Sequence, residues 1–221
     1  MATVPSRYDQ ITHLLRTLHQ NGVRDPQVLL AIAAVPRERF VPVELRARAW
    51  ENRALPIGDG QTISQPLVVG LMTQALALTG AEHVLEVGTG SGYQAAILAR
   101  LARSVVTVEI NPVLAIAARQ RLAQLGYQNV TVVVADGSQG WPAAAPYDRI
   151  LVTAATPVIP PAFLEQLRDA DGARLVLPLG QGQRQELIVL ERRQGHLVRT
   201  SLGAVAFVPL RINDGGYVGK D

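Results

Sequence analysis

Apolar positions recur along the chain in two rhythms. Over the first fifty residues the rhythm is helical. The stretch from Arg7 to about Gln20 places Ile11, Leu14, Leu15 and Leu18 on one face and stops at Asn21-Gly22. Asp25-Pro26 then offers a capping carboxylate followed by proline in the first helical position, opening a second helix to about Ala34 that Pro36 ends. A third short helix is predicted from Pro42 to about Trp50. The segment Ala54 to Pro66, "ALPIGDGQTISQP", loses periodicity and collects proline, glycine and small polar residues, which predicts a long loop. A helix follows from Pro66 to about Leu78.

From there short β-branched apolar runs alternate with helical stretches. "HVLEVG", "SVVTVEI", "NVTVVVAD", "DRILVTAA" and "ARLVLPLG" read as strands. Helices are expected at about Ser91–Ala102, Pro112–Leu125 and Pro161–Leu167. Strand and helix in alternation predict an α/β fold with a doubly wound, mostly parallel sheet joined by right-handed crossovers. "QELIVLERRQGHLVRTSLGAVAFVPL" departs from this. Two strand-like runs meet at Gln194-Gly195, which predicts an antiparallel hairpin on the sheet edge. The polar, Gly-rich end of the chain is expected to fray. One domain is expected, in four parts: helices over 1–53, the loop 54–66, the sheet core 67–212 and a tail over 213–221.

Composition adds limits. Hydrophobic residues make up 48% of the chain and charged residues 18%, enough apolar material for a sheet covered on both faces. No apolar run approaches the roughly 18 residues of a membrane span, and the first residues carry no signal-peptide pattern. There is no cysteine, which excludes disulfides, thiolate metal sites and a thiol nucleophile and fits a cytoplasmic setting. The formal charge is only +3. The arginines are scattered and not interleaved with aromatic residues, so neither nucleic acid nor membrane is expected as a partner. His13, His19, His83 and His196 show no metal-ligand spacing, and no metal is expected. Trp50 and Trp141 read as packing residues.

The chemistry gathers at strand ends. In "VLEVGTGSGYQAA" an apolar strand runs into Gly88, Gly90 and Gly92, with Thr89 and Ser91 between them, and a helix begins. Glycines permit a tight turn and close approach to a ligand, and a helix start presents free N–H groups. The spacing is G-x-G-x-G, whereas dinucleotide sites use G-x-G-x-x-G around a pyrophosphate. Glu86, two residues before the first glycine, is easier to explain beside a cationic amino-acid ligand than beside a pyrophosphate. S-adenosyl-L-methionine is such a ligand. Glu109 ends the next strand, where a carboxylate can accept ribose hydroxyls of either cofactor. Asp136 and Gly137 end the third strand, where Asp136 could accept from an adenine amino group and Gly137 leave room for the ring. Each residue alone reads as a turn or cap; together, at the carboxyl ends of successive strands, they point to a cofactor site.

"IAAVPRERFVP" (Ile32 to Pro42), "PIGDGQTISQP", "VLEVGTGSGYQAAILA", "ADGSQGW", "YDRILVTAA", "RLVLPLG" and "FVPL" (Phe207 to Leu210) follow one another in order over nearly the whole chain. This series resembles the protein-L-isoaspartate (D-aspartate) O-methyltransferase family, with "QTISQP" the distinctive segment. The resemblance implies a Rossmann-like methyltransferase fold and methyl esterification of L-isoaspartyl and D-aspartyl residues in damaged proteins and peptides; a monomer is expected. It implies that Ser64 is the active-site serine, paired with Thr62. Ile57 and Gly58 would pack near the bound peptide, and Val208 near its backbone. Glu86, Gly88, Glu109, Asp136 and Gly137 fall on cofactor positions, while Ala135 stands where glycine is more usual. Read without the resemblance, Thr62 and Ser64 would cap the helix opening near Pro66. The rival functions are a methyltransferase for a small molecule or RNA, a dinucleotide-dependent oxidoreductase, and a binding module that has lost activity.

Overall fold

The computed structural model describes residues 6–213 and 218. The expected fraying falls mostly on residues 214–217 and 219–221, outside the described residues. Six α-helices and nine strands are present among the described residues: α1 (Arg7–Gln20), α2 (Pro26–Ala34), β1 (Leu55–Gly58), β2 (Gln61–Ile63), α3 (Pro66–Ala75), β3 (His83–Val87), α4 (Tyr93–Ala99), β4 (Ser104–Glu109), α5 (Pro112–Gln124), β5 (Val130–Val134), β6 (Arg149–Val152), α6 (Pro161–Gln166), β7 (Arg174–Gln181), β8 (Arg184–Arg193) and β9 (His196–Val205).

Helix starts follow local chemistry. Ser6 and Asp9 form a reciprocal capping box on α1. The Asp25 carboxylate accepts from the Gln27 and Val28 amides at the start of α2, and the Asn111 side chain does the same for Val113 and Leu114 at the start of α5. In both cases proline follows the cap, where its missing N–H costs nothing.

Seven strands form one sheet in the order β5-β4-β3-β6-β7-β8-β9. The pairs from β5 to β7 are parallel, and β8 and β9 are antiparallel, so the mixed sheet expected from the sequence is present. Alternation sorts the two faces. Leu85, Val87, Val106, Val108 and Ile150 pack with Phe163 of α6 on one face. Val84, Val105, Leu151 and Val176 pack with Met72, Leu76 and Leu98 of α3 and α4 on the other. The N-terminal helices share a third cluster with β2, α4 and α5. β3 is the switch point, because the chain leaves it for β4 on one side and returns to β6 on the other. Ligands of open α/β sheets bind outside the carboxyl ends of the strands at such a point. At the far edge, β9 is exposed along nearly its whole length, and its pairing with β8 is interrupted by a bulge between Glu186 and Ile188.

Two expectations are corrected. The segment 54–66 is not an irregular loop: β1 and β2 form a small antiparallel hairpin. Asp59 and Gly60 both adopt positive φ at its tip, the conformation a tight hairpin turn demands. The helix expected from Pro42 to about Trp50 is instead a 3-10 segment, Val43–Arg48, and a second 3-10 segment, Arg37–Phe40, precedes it. Pro36 and Pro42 divide this stretch into pieces of about one turn, too short to nucleate an α-helix.

Leu85, fully buried in the central strand, should be among the costliest core positions. Leu85→Ala is expected to lower unfolding free energy by about 2–5 kcal/mol in chemical denaturation.

Candidate active site

The chain leaves β3 at Gly88, with φ of +98°. A Cβ at Gly88 would lie 2.4 Å from Thr153 Oγ1. That hydroxyl donates to the Gly88 carbonyl at 2.7 Å, with the Val87 carbonyl at 3.0 Å as its alternative acceptor. Thr153, just beyond β6, thus packs the switch point shut from below. Gly90 N–H donates to Glu109 Oε2 at 2.8 Å, and Asn111 N–H donates to Glu109 Oε1 at 3.0 Å. Arg121 of α5 donates to the Ser91 carbonyl at 2.6 Å. Gly92 sits against Ala118 and Leu122 of α5, where a Cβ would lie 3.3 Å from Ala118. The glycine turn is therefore a rigid shelf bound to three neighbouring elements.

Gly88, Thr89, Gly90, Ser91, Glu109 and Gly137 line a cavity above this shelf. Glu86 does not line it. Its side chain lies beneath the turn, fully buried. Glu86 Oε2 accepts from Thr107 Oγ1 at 2.6 Å, and Thr107 Oγ1 also bonds Thr89 Oγ1 at 2.7 Å. Glu86 Oε1 has no partner among the described residues. Burial drives its pKa up to about 8; the Thr107 hydrogen bond opposes the rise and the nearby Glu109 charge adds to it. Asp136, expected at the cofactor site, does not line the cavity, although its neighbour Gly137 does. Its Oδ1 accepts from Ser138 N–H at 2.9 Å and its Oδ2 from Asn213 N–H at 3.0 Å. Gly137 lies tight against Val87, which a Cβ there would approach to 2.5 Å.

The β1–β2 hairpin covers the shelf. Ile57 reaches within van der Waals range of the Gly90 position, Gly58 is exposed near the tip, and Asn111 Nδ2 donates to Asp59 Oδ2 at 2.9 Å. Along β2 and just beyond it, Ile63 is buried while Thr62 and Ser64 face the cavity. Their hydroxyls do not cap α3, whose N-cap is Gln65 without a side-chain hydrogen bond. The Asn52 side chain serves that end instead, accepting from Leu67 N–H at 3.0 Å. A second, broader groove runs between Asn52 and Arg53 on one side and Leu202 to Val208 on the other. The cavity and the groove share Thr62, Ser64, Thr153 and Val208. Val208 is held there by the Ala155 N–H, which donates to its carbonyl at 2.8 Å.

Thr153, Thr107, Asn52 and Tyr93 were not among the residues expected from the sequence. Thr153 falls inside the run "DRILVTAA" read as a strand, and nothing in that run singles it out. Among the described residues no three His, Asp or Glu side chains are grouped to hold a metal. His83 is a packing residue, bonded to Ser104 Oγ and the Ala144 carbonyl and stacked on Tyr147.

A glycine shelf at the switch point of a doubly wound sheet, with the Glu109 carboxylate accepting from the Gly90 amide beside the cavity, suits a ligand that carries a cation and hydroxyl donors. This is the site of a Rossmann-like, S-adenosylmethionine-dependent methyltransferase. Residues 9–215 match the family model for protein-L-isoaspartate(D-aspartate) O-methyltransferase, and the chain belongs to that family. With it the chain shares S-adenosylmethionine-dependent methyl transfer to isoaspartyl residues. The chain is 53% identical over 193 residues to protein-L-isoaspartate O-methyltransferase 1 of Syntrophobacter fumaroxidans, covering 87% of this chain and 89% of the relative. It is similar to a solved protein-L-isoaspartate O-methyltransferase with a TM-score of 0.79 and 29% identity, covering 90% of this chain and 65% of that one. A Plasmodium falciparum protein of the same assignment, solved with S-adenosyl-L-homocysteine, shares the fold with a TM-score of 0.78 at 21% identity, over 91% of this chain and 98% of its own.

The state of Glu86 sets a pH dependence. Between the ordinary value of 4.5 and about 8, the folded protein holds a proton that the unfolded chain releases. This carboxyl therefore supports the fold at low pH, and that support is lost as pH rises through about 8. Relative to the parent, Glu86→Gln should be progressively more stable from pH 5 to pH 8.5 in denaturant unfolding without cofactor; a difference independent of pH would contradict the buried, protonated carboxyl.

Proposed function

We propose that the cavity over the glycine shelf holds S-adenosylmethionine, that the neighbouring groove holds the damaged peptide, and that Thr62 and Ser64 position the acceptor carboxylate between them. The shared lining of the two spaces carries this reading: a group in one can meet a group in the other only past Thr62, Ser64, Thr153 and Val208.

The residues present fit the cofactor. The glycine turn would hold the amino-acid end, braced from beneath by Glu86 through Thr107 and Thr89, with Glu109 at the ribose and Gly137, beside Asp136, at the adenine side. When bound, S-adenosylmethionine supplies an electrophilic methyl group on a sulfonium. The substrate carboxylate needs no general base, because an ordinary carboxyl with a pKa near 4 is already ionised at neutral pH. What the chain must do is orient it. Thr62 and Ser64 flank the inward-facing Ile63, so their hydroxyls share one side. They can donate to one carboxylate oxygen and leave the other free to attack. Val69, Val87, Val108 and Leu210 wall the cavity and limit water, which favours a reaction in which opposite charges disappear. Ile57, Gly58 and Val208 would bound the peptide.

The absence of cysteine supports work in the reducing cytoplasm. Among the described residues no helix is long and apolar enough to cross a membrane. The protein would act as a monomer on isoaspartyl and D-aspartyl proteins and peptides, without nucleic acid.

Labelled-methyl transfer should favour an isoaspartyl peptide over its aspartyl twin, and label on neither, with cofactor binding verified, would refute the substrate. Ser64→Ala should lower kcat by about 10- to 100-fold, as loss of a positioning contact does. S-adenosylhomocysteine affinity by calorimetry should stay nearly constant, and a large loss of that affinity would refute the role given to Ser64.

A further inference from the structure

Arg37 is the largest fully buried side chain of the described residues, and the reaction as set out makes no use of it. It lies in the first 3-10 segment, between Pro36 and Glu38, and no carboxylate is among the groups that act on its charge. Its partners are main-chain carbonyls. Nε donates to the Ala49 carbonyl at 2.8 Å. Nη2 donates to the Ser64 carbonyl at 2.8 Å and the Arg53 carbonyl at 3.3 Å. Its guanidinium carbon lies 4.8 Å from the centre of the Tyr93 ring, and Phe40 meets the same ring edge-on at 5.4 Å. Tyr93 opens α4 directly after the glycine turn and lines the cofactor cavity.

A buried cation without a counter-charge is expensive to desolvate, and an apolar side chain of similar volume often stabilises a fold as well or better. Stability is therefore a weak explanation for arginine here. The planar fork offers something an apolar residue cannot, namely donors in fixed directions. One guanidinium holds the second 3-10 segment through Ala49, the strand entry through Arg53 and the main chain of Ser64. Its face rests on the residue that begins the cofactor helix. Ser64 lies beyond β2 and before α3, outside any ladder that would fix its main chain.

We infer that Arg37 is a positioning residue for methyl transfer, which holds the Ser64 main chain against the cofactor helix so that the Ser64 hydroxyl faces the acceptor carboxylate. The inference rests on the role proposed above for Ser64. It touches neither cofactor nor substrate, so its loss should appear in turnover.

The test compares Arg37→Met, Arg37→Lys, Ser64→Ala, the Arg37→Met/Ser64→Ala double variant and Leu18→Ala in steady-state kinetics with an isoaspartyl peptide. S-adenosylhomocysteine calorimetry and thermal unfolding accompany them. Leu18 is buried in α1, in the same apolar cluster as Phe40 and Tyr93, but lines neither the cavity nor the groove, so it controls for general loosening. For Arg37→Met, kcat should fall by about tenfold or more, while KM and S-adenosylhomocysteine affinity stay within about threefold. Arg37→Lys should recover part of the loss, since an ammonium can still reach a carbonyl. The double variant should be little worse than Ser64→Ala, because residues acting as one unit are not additive. Leu18→Ala should keep kcat within about twofold of the parent even with a lowered Tm.

Parental kcat in Arg37→Met, an equal kcat loss in Leu18→Ala, or full additivity in the double variant would overturn the inference. If Arg37→Met does not fold, Arg37→Lys carries the same kcat criterion. Parental kcat in Ser64→Ala would instead overturn the role of Ser64. A low kcat in Ser64→Ala beside parental kcat in both Arg37 variants would sink only the present inference.

Discussion

The Thr153 hydroxyl fills the space where a side chain on residue 88 would lie, and its proton goes to that residue's carbonyl. The chain turns at the carboxyl end of β3 through the positive φ of Gly88, and this contact leaves no room there for any residue but glycine. The bend brings the Gly90 amide to Glu109 at the end of β4. Thr153 also lines both the cavity over the glycine turn and the groove beside it. A parallel sheet alone presents a row of strand ends with no depth. Here the depth comes from one glycine and one threonine on adjacent strands, and the hairpin and the C-terminal segment close over it.

The covering elements bury Leu55, Ile63 and Leu210 in the apolar clusters and are also tied by directed polar contacts. The hairpin tip reaches α5 through Asp59 and Asn111. The segment carrying Val208 and Leu210 is paired to Ala155 through backbone bonds on both sides. The Asn213 amide donates to Asp136. Contacts of this kind set distance and direction, which is what a methyl transfer without acid or base catalysis requires of its protein. The apolar clusters beneath do the different work of keeping the sheet flat-faced and dry.

Much of the architecture was legible in the chain. Asp25-Pro26 marked the start of α2, the β-branched runs marked the parallel strands, and Gln194-Gly195 marked the outer hairpin, because each rests on local backbone chemistry. The β1–β2 hairpin was hidden, since its strands are three and four residues long and its Gly-Asp-Gly tip resembles any loop. The 3-10 segments were hidden because proline spacing, not periodicity, decides them. Within the site, the glycines and acidic strand ends announced themselves through spacing. Thr107, Thr153 and Asn52 did not, because their partners are distant in sequence and a lone threonine or asparagine carries no pattern. Arg37 was the least visible. In "PRERF" it is one arginine of two, and only the fold separates the buried one from the exposed Arg39. The burial of Glu86 under the turn was equally unreadable, although its place in the motif was plain.

The outermost strand has a consequence for how the molecule lives among copies of itself. Ten residues of β9 turn one row of amides and carbonyls outward, and a row of that kind can template a foreign strand. The chain counters this with geometry and charge. The bulge opposite Glu186 twists the ribbon, and Gly203 adopts a positive φ within it. Arg199 pairs with Glu186 on its surface. A bulged, charged edge is a poor template for a further strand, so these features disfavour edge-to-edge association of copies of the chain.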